Sequence, residues 1–163
     1  MAQICTTREQ SKKLLELGIS CETADMSWHF TNMRTESLQW ELKTAPLTTK
    51  ENFFGKIEKL ACPLYKHADG TPMTGDEVFD KIWGKDLPAW SLGALIALLP
   101  DEVRDERFNV TYYLTIDKYG VWYSNRTEDE ENEYECYGDL FECCIEMIEA
   151  LQSQIKFKLL IFR

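Results

Sequence analysis

Hydrophobic and small residues fill an unbroken stretch between Ser91 and Pro100. Within it, leucine and isoleucine recur at i, i+3, i+4 and i+7, the spacing of one helical face, and the other positions are glycine, alanine or leucine. Ser91 can cap the start of a helix, and Pro100 cannot continue one. Because a helix with no polar face belongs in the interior of a domain, the pattern predicts a buried central helix at residues 91–99.

Four other segments begin with a capping box, in which a Thr or Asp N-cap is followed three residues later by Glu or Gln. The first of these helices should end at Gly18, since glycine readily adopts the left-handed backbone conformation that follows a helix, and the third should stop at Gly84. In the last helix the apolar residues repeat with helical spacing and place Cys144 in the buried stripe. The four boxes begin at Thr7, Thr48, Thr74 and Asp139.

A change to a period of two predicts a β-hairpin after the first helix. Trp28 and Phe30 fall on one face of its first strand, and residues 38–43 alternate in the same way. We expect that side of the hairpin to be buried. His29 falls on the other face, and we interpret it as an ordinary strand residue.

Residues 109–116 are rich in β-branched and aromatic side chains and predict the first strand of a second hairpin, with residues 121–124 as its partner. We expect Gly120 to be left-handed in the connecting turn. Residues 155–162 contain two Phe and two Ile, a composition that favours a final strand over an extension of the last helix.

Together these elements predict an α+β fold. It consists of an antiparallel sheet, built from two hairpins and packed by helices, with the buried helix at 91–99 in its centre. A chain of 163 residues is expected to form a single domain, 1–163, with a helical elaboration at about 45–87.

The net charge of −10, from 28 acidic and 18 basic residues, opposes direct binding to nucleic acid or to an anionic membrane. The first residues lack the basic and apolar regions of a signal peptide, and no apolar run is long enough to span a membrane. We therefore expect a soluble, cytoplasmic protein. In that compartment its six cysteines are expected to be reduced.

No local motif identifies a catalytic centre. The nucleophile elbow, the phosphate-binding loop, the dinucleotide fingerprint and the His-Glu-x-x-His motif are all missing. Cys62 with His67 is the nearest approach to a metal-ligand pair, and that spacing alone predicts little. A catalytic pair of carboxylates remains an alternative that the sequence cannot locate. The sequence favours a protein without enzymatic activity, cofactor or metal.

Six acidic residues fall within eight positions and supply more than half of the net negative charge. Three interpretations remain open: a solvated loop between a strand and a helix, a cation site, or an anionic surface that replaces nucleic-acid phosphates in a basic groove. Trp90, which precedes the central helix, is a further candidate for partner binding. The acidic residues are Glu128, Asp129, Glu130, Glu131, Glu133 and Glu135.

Several short segments resemble small uncharacterised proteins of gut-bacterial genomes, prophages and other mobile elements. These segments are residues 7–18, 22–26, 88–95 and 98–100. The resemblance implies a setting, a phage or mobile-element gene, and it assigns no activity and no catalytic or binding residue.

These observations lead us to expect a non-enzymatic binding or regulatory protein that acts on a protein partner. One alternative is a small hydrolase or transferase that uses carboxylates. Another is an acidic nucleic-acid mimic that acts through residues 128–135. The oligomeric state stays open.

Overall fold

The computed structural model describes residues 2–31, 39–106, 108–125 and 132–161, with side chains described outside 132–133 and 154–161. This part of the chain contains four α-helices and two antiparallel sheets, which confirms the predicted α+β class. The helices are α1 (Arg8–Glu16), α2 (Gly75–Trp83), α3 (Leu92–Ile96) and α4 (Leu140–Ile161). The strands are β1 (Met26–Phe30), β2 (Trp40–Lys43), β3 (Leu87–Ala89), β4 (Glu102–Asp105), β5 (Val110–Ile116), β6 (Gly120–Ser124) and β7 (Asn132–Tyr137).

The chain divides into two compact units. Unit 1 comprises Met1–Thr23 and Trp90–Arg163, and unit 2 is the inserted segment Ala24–Ala89. The elaboration predicted at about 45–87 falls within unit 2. The two predicted hairpins therefore belong to separate sheets, one in each unit.

Unit 1 is built on a four-stranded antiparallel sheet in the order β4-β5-β6-β7. The second predicted hairpin is confirmed, with Thr115 opposite Trp122. β4 and β7, which were not predicted, extend this hairpin on its two sides. α4 packs on β6 and β7. On the side of β6 that faces α4, Val121 and Tyr123 are fully buried. The buried residues of α4 are Phe141, Cys143, Cys144, Ile145, Met147, Ile148 and Leu151.

α1 begins and ends as predicted. The Thr7 hydroxyl accepts from the Gln10 amide, and the Gln10 side chain accepts from the Thr7 amide, which completes the capping box. At the other end Gly18 has φ +85°, and the Ile19 amide donates to the carbonyl oxygen of Leu14 at 3.0 Å. That bond closes a Schellman motif. Local interactions thus specify both ends of this helix.

A set of hydrogen bonds around Trp90 joins the two parts of unit 1. The Thr6 amide donates to the Trp90 carbonyl oxygen at 2.8 Å, and the Trp90 amide donates to the Thr6 hydroxyl at 3.0 Å. The indole N–H donates to the hydroxyl of Thr23 at 2.9 Å. Thr6 also shares a 2.8 Å hydrogen bond with Ser11, and both are fully buried. Trp90 therefore ties the N-terminal segment to the point at which unit 2 is inserted.

The predicted central helix is shorter and less completely buried than its pattern indicated. Ser91 caps α3 as predicted. Beyond α3 the chain continues to Leu99 in turns closed by i to i+3 hydrogen bonds. Leu95 and Leu99 are buried, whereas Gly93 and Ala97 are exposed. α3 contacts α4, and its burial pattern leaves Gly93 and Ala97 on the solvent side.

Unit 2 is built on a three-stranded antiparallel sheet in the order β2-β1-β3. The first predicted hairpin is confirmed: Trp28 pairs with Leu42, and Phe30 pairs with Trp40 in an edge-to-face contact with ring centroids 5.2 Å apart. These four side chains are half-buried rather than buried. β3 was not predicted. It accommodates Pro88 because an edge strand can lack one ladder donor.

α2 forms as predicted between the capping box at Thr74 and the C-cap at Gly84. The helix predicted from Thr48 is wrong. There, the side chains and amides of Thr49 and Asn52 bond reciprocally in a turn, and a single 3-10 turn follows at Ile57–Leu60. Side chains of this kind compete with helical hydrogen bonding when no buried face holds the helix.

Two further predictions are wrong. Residues 155–161 continue α4 instead of forming a strand, because extending an existing helix is much easier than starting a new element. Gly120 is not left-handed but lies in β6, where a Cβ atom would come within 2.2 Å of the Cys136 carbonyl oxygen. None of the described helices, α4 included, combines the length and apolar character needed to span a membrane.

Candidate functional site

The acidic tract ends in a strand. Residues 128–131 lie outside the described residues, whereas 132–137 form β7 and pair with β6. The interpretation of the acidic tract as a loop is therefore wrong for its residues 132–135, which an edge strand can accommodate because charged side chains are tolerated there. Glu133 lies in β7 without a described side chain, and the side chain of Glu135 is exposed.

Trp90, the other candidate for partner binding, has a relative exposure of 0%. Its indole N–H is already bonded to Thr23. In this conformation Trp90 belongs to the interior of unit 1 and offers no surface to a partner.

The strongest candidate site is the face of the four-stranded sheet turned away from α4, which we call the outer face. Alternation along the strands assigns residues to it: Trp122 lies opposite Glu135, and Tyr113 lies opposite Ser124. The outer face comprises Glu102, Arg104, Thr111, Tyr113, Thr115, Trp122, Ser124, Glu135 and Tyr137.

Two aromatic rings lie side by side on the outer face. The ring centroids of Trp122 and Tyr137 are 6.0 Å apart, and the ring planes differ by 31°, so the rings form a shallow platform. Tyr137 is 59% exposed, and Trp122 is half-buried. Gly120, directly opposite Tyr137, has no side chain to cover the ring. A ring beside a cross-strand glycine also supports the sheet, so Tyr137 contributes to stability as well.

Carboxylates line the edge of this aromatic platform. Glu135 lies two residues before Tyr137 on the same face of β7, so its carboxylate is close to the Tyr137 ring. Loss of hydration raises the pKa of Tyr137, and the negative charges of Glu135 and Asp117 raise it further. The platform therefore suits a cationic ligand better than a phosphate or another anion.

β7 is distorted next to the platform. Trp122 pairs with Glu135, but its neighbour Tyr123 pairs with Glu133, which leaves Tyr134 as an extra residue in a β-bulge. Tyr134 has φ +58°, a conformation that costs a residue other than glycine about 1–2 kcal/mol. Bulges redirect side chains beside functional sites and prevent edge strands from pairing with other chains. The bulge is thus a second feature, independent of the aromatic rings, that marks β7 as part of a candidate functional site.

Unit 2 holds a histidine–carboxylate pair that the sequence did not show. His29 Nδ1 lies 2.8 Å from the carboxylate of Asp86, which is 4% exposed and also accepts from the Phe30 amide at 2.9 Å. Catalytic imidazoles are oriented in the same way. However, Ser27, the hydroxyl two residues earlier on the same face, is buried and donates to the Ala45 carbonyl oxygen. The pair connects β1 to the turn before β3, and Ser27 is not placed beside it as a nucleophile.

A cluster of thiols lies between β7 and α4. Cys136 donates to Glu146 Oε2 at 3.1 Å, and Cys143 lies on α4 three residues before Glu146. Burial raises the pKa of Cys136, and the neighbouring Cys143 and Glu146 raise it further. All six cysteines are free.

No metal site is found within the described ranges, where no group of three or more His, Cys, Asp or Glu side chains is placed to hold an ion. Cys62 and His67 therefore belong to no such group of ligands. His67 Nε2 lies 3.3 Å from a carboxylate oxygen of Glu77. The cation interpretation of the acidic tract depends on residues 128–131, which fall outside the described residues.

Comparisons with protein-family models, with curated proteins and with solved structures found no match to this chain. The sequence contains Trp122 and Tyr137 but does not indicate that they are neighbours. Their proximity depends on the pairing of β7 with β6.

Proposed function

We propose that this chain is a non-enzymatic binding protein that docks onto a basic protein partner through the outer face of its four-stranded sheet. The juxtaposition of Trp122, Tyr137 and Glu135 is the observation that carries this proposal. Aromatic rings supply much of the binding energy at interfaces. A guanidinium or ammonium group can stack on such a ring while a neighbouring carboxylate neutralises it.

The charge of the whole chain supports the same partner chemistry. With a net charge of −10, the protein attracts basic surfaces and repels anionic ones during encounter. A phage or mobile-element setting remains part of the proposal through the resemblance of residues 7–18 and 88–95. In that setting the partner would be a host protein or one encoded by the element.

A short cationic peptide tests this chemistry without a known partner. We expect hexa-arginine to bind the wild-type protein weakly and to shift the indole N–H resonance of Trp122. Trp122→Ala and Tyr137→Ala should each weaken binding about two- to five-fold, which corresponds to a cation–π contribution of about 0.5–1 kcal/mol. Neither variant changes the net charge, so non-specific attraction predicts no effect.

Phe54→Ala is the matched control, since it removes a fully exposed aromatic ring from unit 2. It should leave hexa-arginine binding unchanged. If the two outer-face variants also bind as the wild type does, charge alone attracts the peptide and the proposal fails. If the outer-face variants do weaken binding, proteins captured from a lysate can be compared across the same variants.

The two alternatives predict other patterns. An acidic mimic of nucleic acid would lose binding when Glu128 to Glu135 are neutralised and would tolerate Trp122→Ala. A carboxylate-dependent enzyme would lose turnover when Asp86→Asn or His29→Ala is introduced, with no change in hexa-arginine binding.

A further inference from the structure

We infer that Cys136 and Cys143 form a site of reversible oxidation, at which a low-molecular-weight disulfide such as glutathione disulfide converts their thiols into a disulfide between β7 and α4. This inference goes beyond the docking function and does not depend on it. The two cysteines are seven residues apart and lie on different elements, so the sequence alone did not pair them.

The fold brings the two cysteines to the same contact between β7 and α4. Cys136 is on the face of β7 that α4 covers, where its thiol donates to Glu146 at 3.1 Å, and Cys143 lies on α4 about one turn before Glu146. Both cysteines therefore lie at the same contact between β7 and α4, where a disulfide requires their sulfur atoms to come within about 2.05 Å of each other. Cys136 is half-buried, while Cys143 is 1% exposed. The reagent therefore reaches Cys136 first, and Cys143 is the thiol that resolves the intermediate.

The exchange balances in two steps. The sulfur of Cys136, after losing its proton, attacks one sulfur of glutathione disulfide; the S–S bond breaks, and the departing glutathione takes up a proton. Cys143 then loses its proton and attacks the Cys136 sulfur of the mixed disulfide, and the second glutathione leaves and is protonated. Two protein thiols are oxidised to one disulfide, and one glutathione disulfide is reduced to two glutathione molecules.

The surroundings of Cys136 should make its oxidation slow and dependent on pH. Burial favours the protonated thiol, and Cys143 and Glu146 of α4 favour it further; on β6 the opposing residue is Val121, which does not titrate. Because the thiolate is the attacking species, the rate should rise with pH. Cys144 is fully buried and points to a different side of α4 from Cys143, so it does not compete.

The full chain should be incubated with glutathione disulfide and digested without reduction, and its peptides analysed by mass spectrometry. We expect a cross-linked species that joins Cys136 to Cys143, with two hydrogens lost from the protein and full reversal by dithiothreitol. The closed loop should also raise Tm by about 5 °C relative to the reduced protein. Cys21 and Cys62, both half-buried, serve as internal controls that acquire glutathione without an internal cross-link.

Cys143→Ser provides the decisive comparison. In that variant Cys136 should stop at the mixed disulfide with glutathione, and the Tm increase should disappear. The inference is overturned if the wild type accumulates the same mixed disulfide at Cys136, or if a Cys143–Cys144 linkage forms instead. It is also overturned if Cys136 stays reduced while Cys21 and Cys62 are fully modified.

Discussion

The two largest fully buried side chains, Trp90 and Tyr123, each commit one polar atom to a specific partner. Tyr123 is fully buried and donates its hydroxyl to the Pro100 carbonyl oxygen at 2.7 Å. Trp90 does the same with Thr23 at 2.9 Å. A buried polar atom left without its partner costs about 1–3 kcal/mol. At the scale of single residues, these bonds satisfy the polar atoms that Trp90 and Tyr123 carry into the interior.

Tyr123 gives the fold a dependence on alkaline pH. Burial raises the pKa of Tyr123 to about 12, and the charge of Asp101 adds to the effect. In the unfolded chain a tyrosine ionises near pH 10. Between pH 10 and 12 the unfolded state therefore releases a proton that the folded state retains, and the free energy of unfolding falls by about 1.4 kcal/mol per pH unit. Below pH 10 this contribution is fully present.

Tyr123→Phe should remove that part of the alkaline loss. The same change should lower the free energy of unfolding at pH 7 by about 1 kcal/mol, because the Pro100 carbonyl oxygen loses its donor. Urea unfolding measured from pH 7 to pH 11 checks both effects. Tyr119→Phe, at a tyrosine that is 61% exposed, is the control. If Tyr123→Phe and the wild type lose stability in parallel above pH 10, the assignment is wrong.

At the scale of elements, a local start signal forms a helix only where the following residues have a surface to pack on. The boxes at Thr7 and Thr74 both lead into helices with buried residues, among them Leu14 and Val78. The box at Thr48 precedes residues that stay largely exposed, and Phe54 is fully exposed. A capping box contributes about 1 kcal/mol, too little to hold an isolated helix of this length.

α3 provides the corresponding test of burial. Leu95→Asp should abolish cooperative unfolding, because Leu95 is fully buried and an unpaired carboxylate there costs several kcal/mol. Gly93→Asp introduces the same side chain at an exposed position of the same helix and should unfold as the wild type does. Circular dichroism melting of the two variants separates the effect of burial from that of charge. Equal melting curves would mean that the leucine face of α3 is not part of the core.

At the scale of the whole molecule, the chain is an insertion of one unit into another. β1 and β3, the first and last strands of unit 2, pair with each other from Met26 and Ala89 onward. In unit 1, Thr23 and Trp90 are hydrogen-bonded across the insertion point. Each unit therefore closes its own chain ends, as expected of domains that can be separated.

Replacement of Ala24–Ala89 by a short Gly-Ser linker should leave a unit 1 that folds. We expect cooperative thermal unfolding and a tryptophan fluorescence spectrum typical of a buried Trp90. The outer face should still bind hexa-arginine, since its residues all belong to unit 1. A shortened protein that shows no cooperative transition would mean that unit 1 requires the inserted segment.

The sequence by itself determined the features that depend on neighbouring residues. The caps of α1 and α2, the left-handed Gly18 and the alternation of β5 and β6 arise from contacts within a few positions, so their residue types indicate them directly. The same local signals carry no information on burial. For that reason they predicted a helix from Thr48 and a strand at 155–162, and both predictions are wrong.

The tertiary structure alone decided which distant residues became neighbours. β7 exists as a strand because β6 supplies its backbone partners, and that pairing places Glu135 beside Trp122 and Cys136 beneath α4. His29 meets Asp86 across 57 positions of sequence for the same reason. Such contacts are set by the burial of whole faces and by hydrogen bonds between strands far apart in the chain, which no local residue pattern specifies.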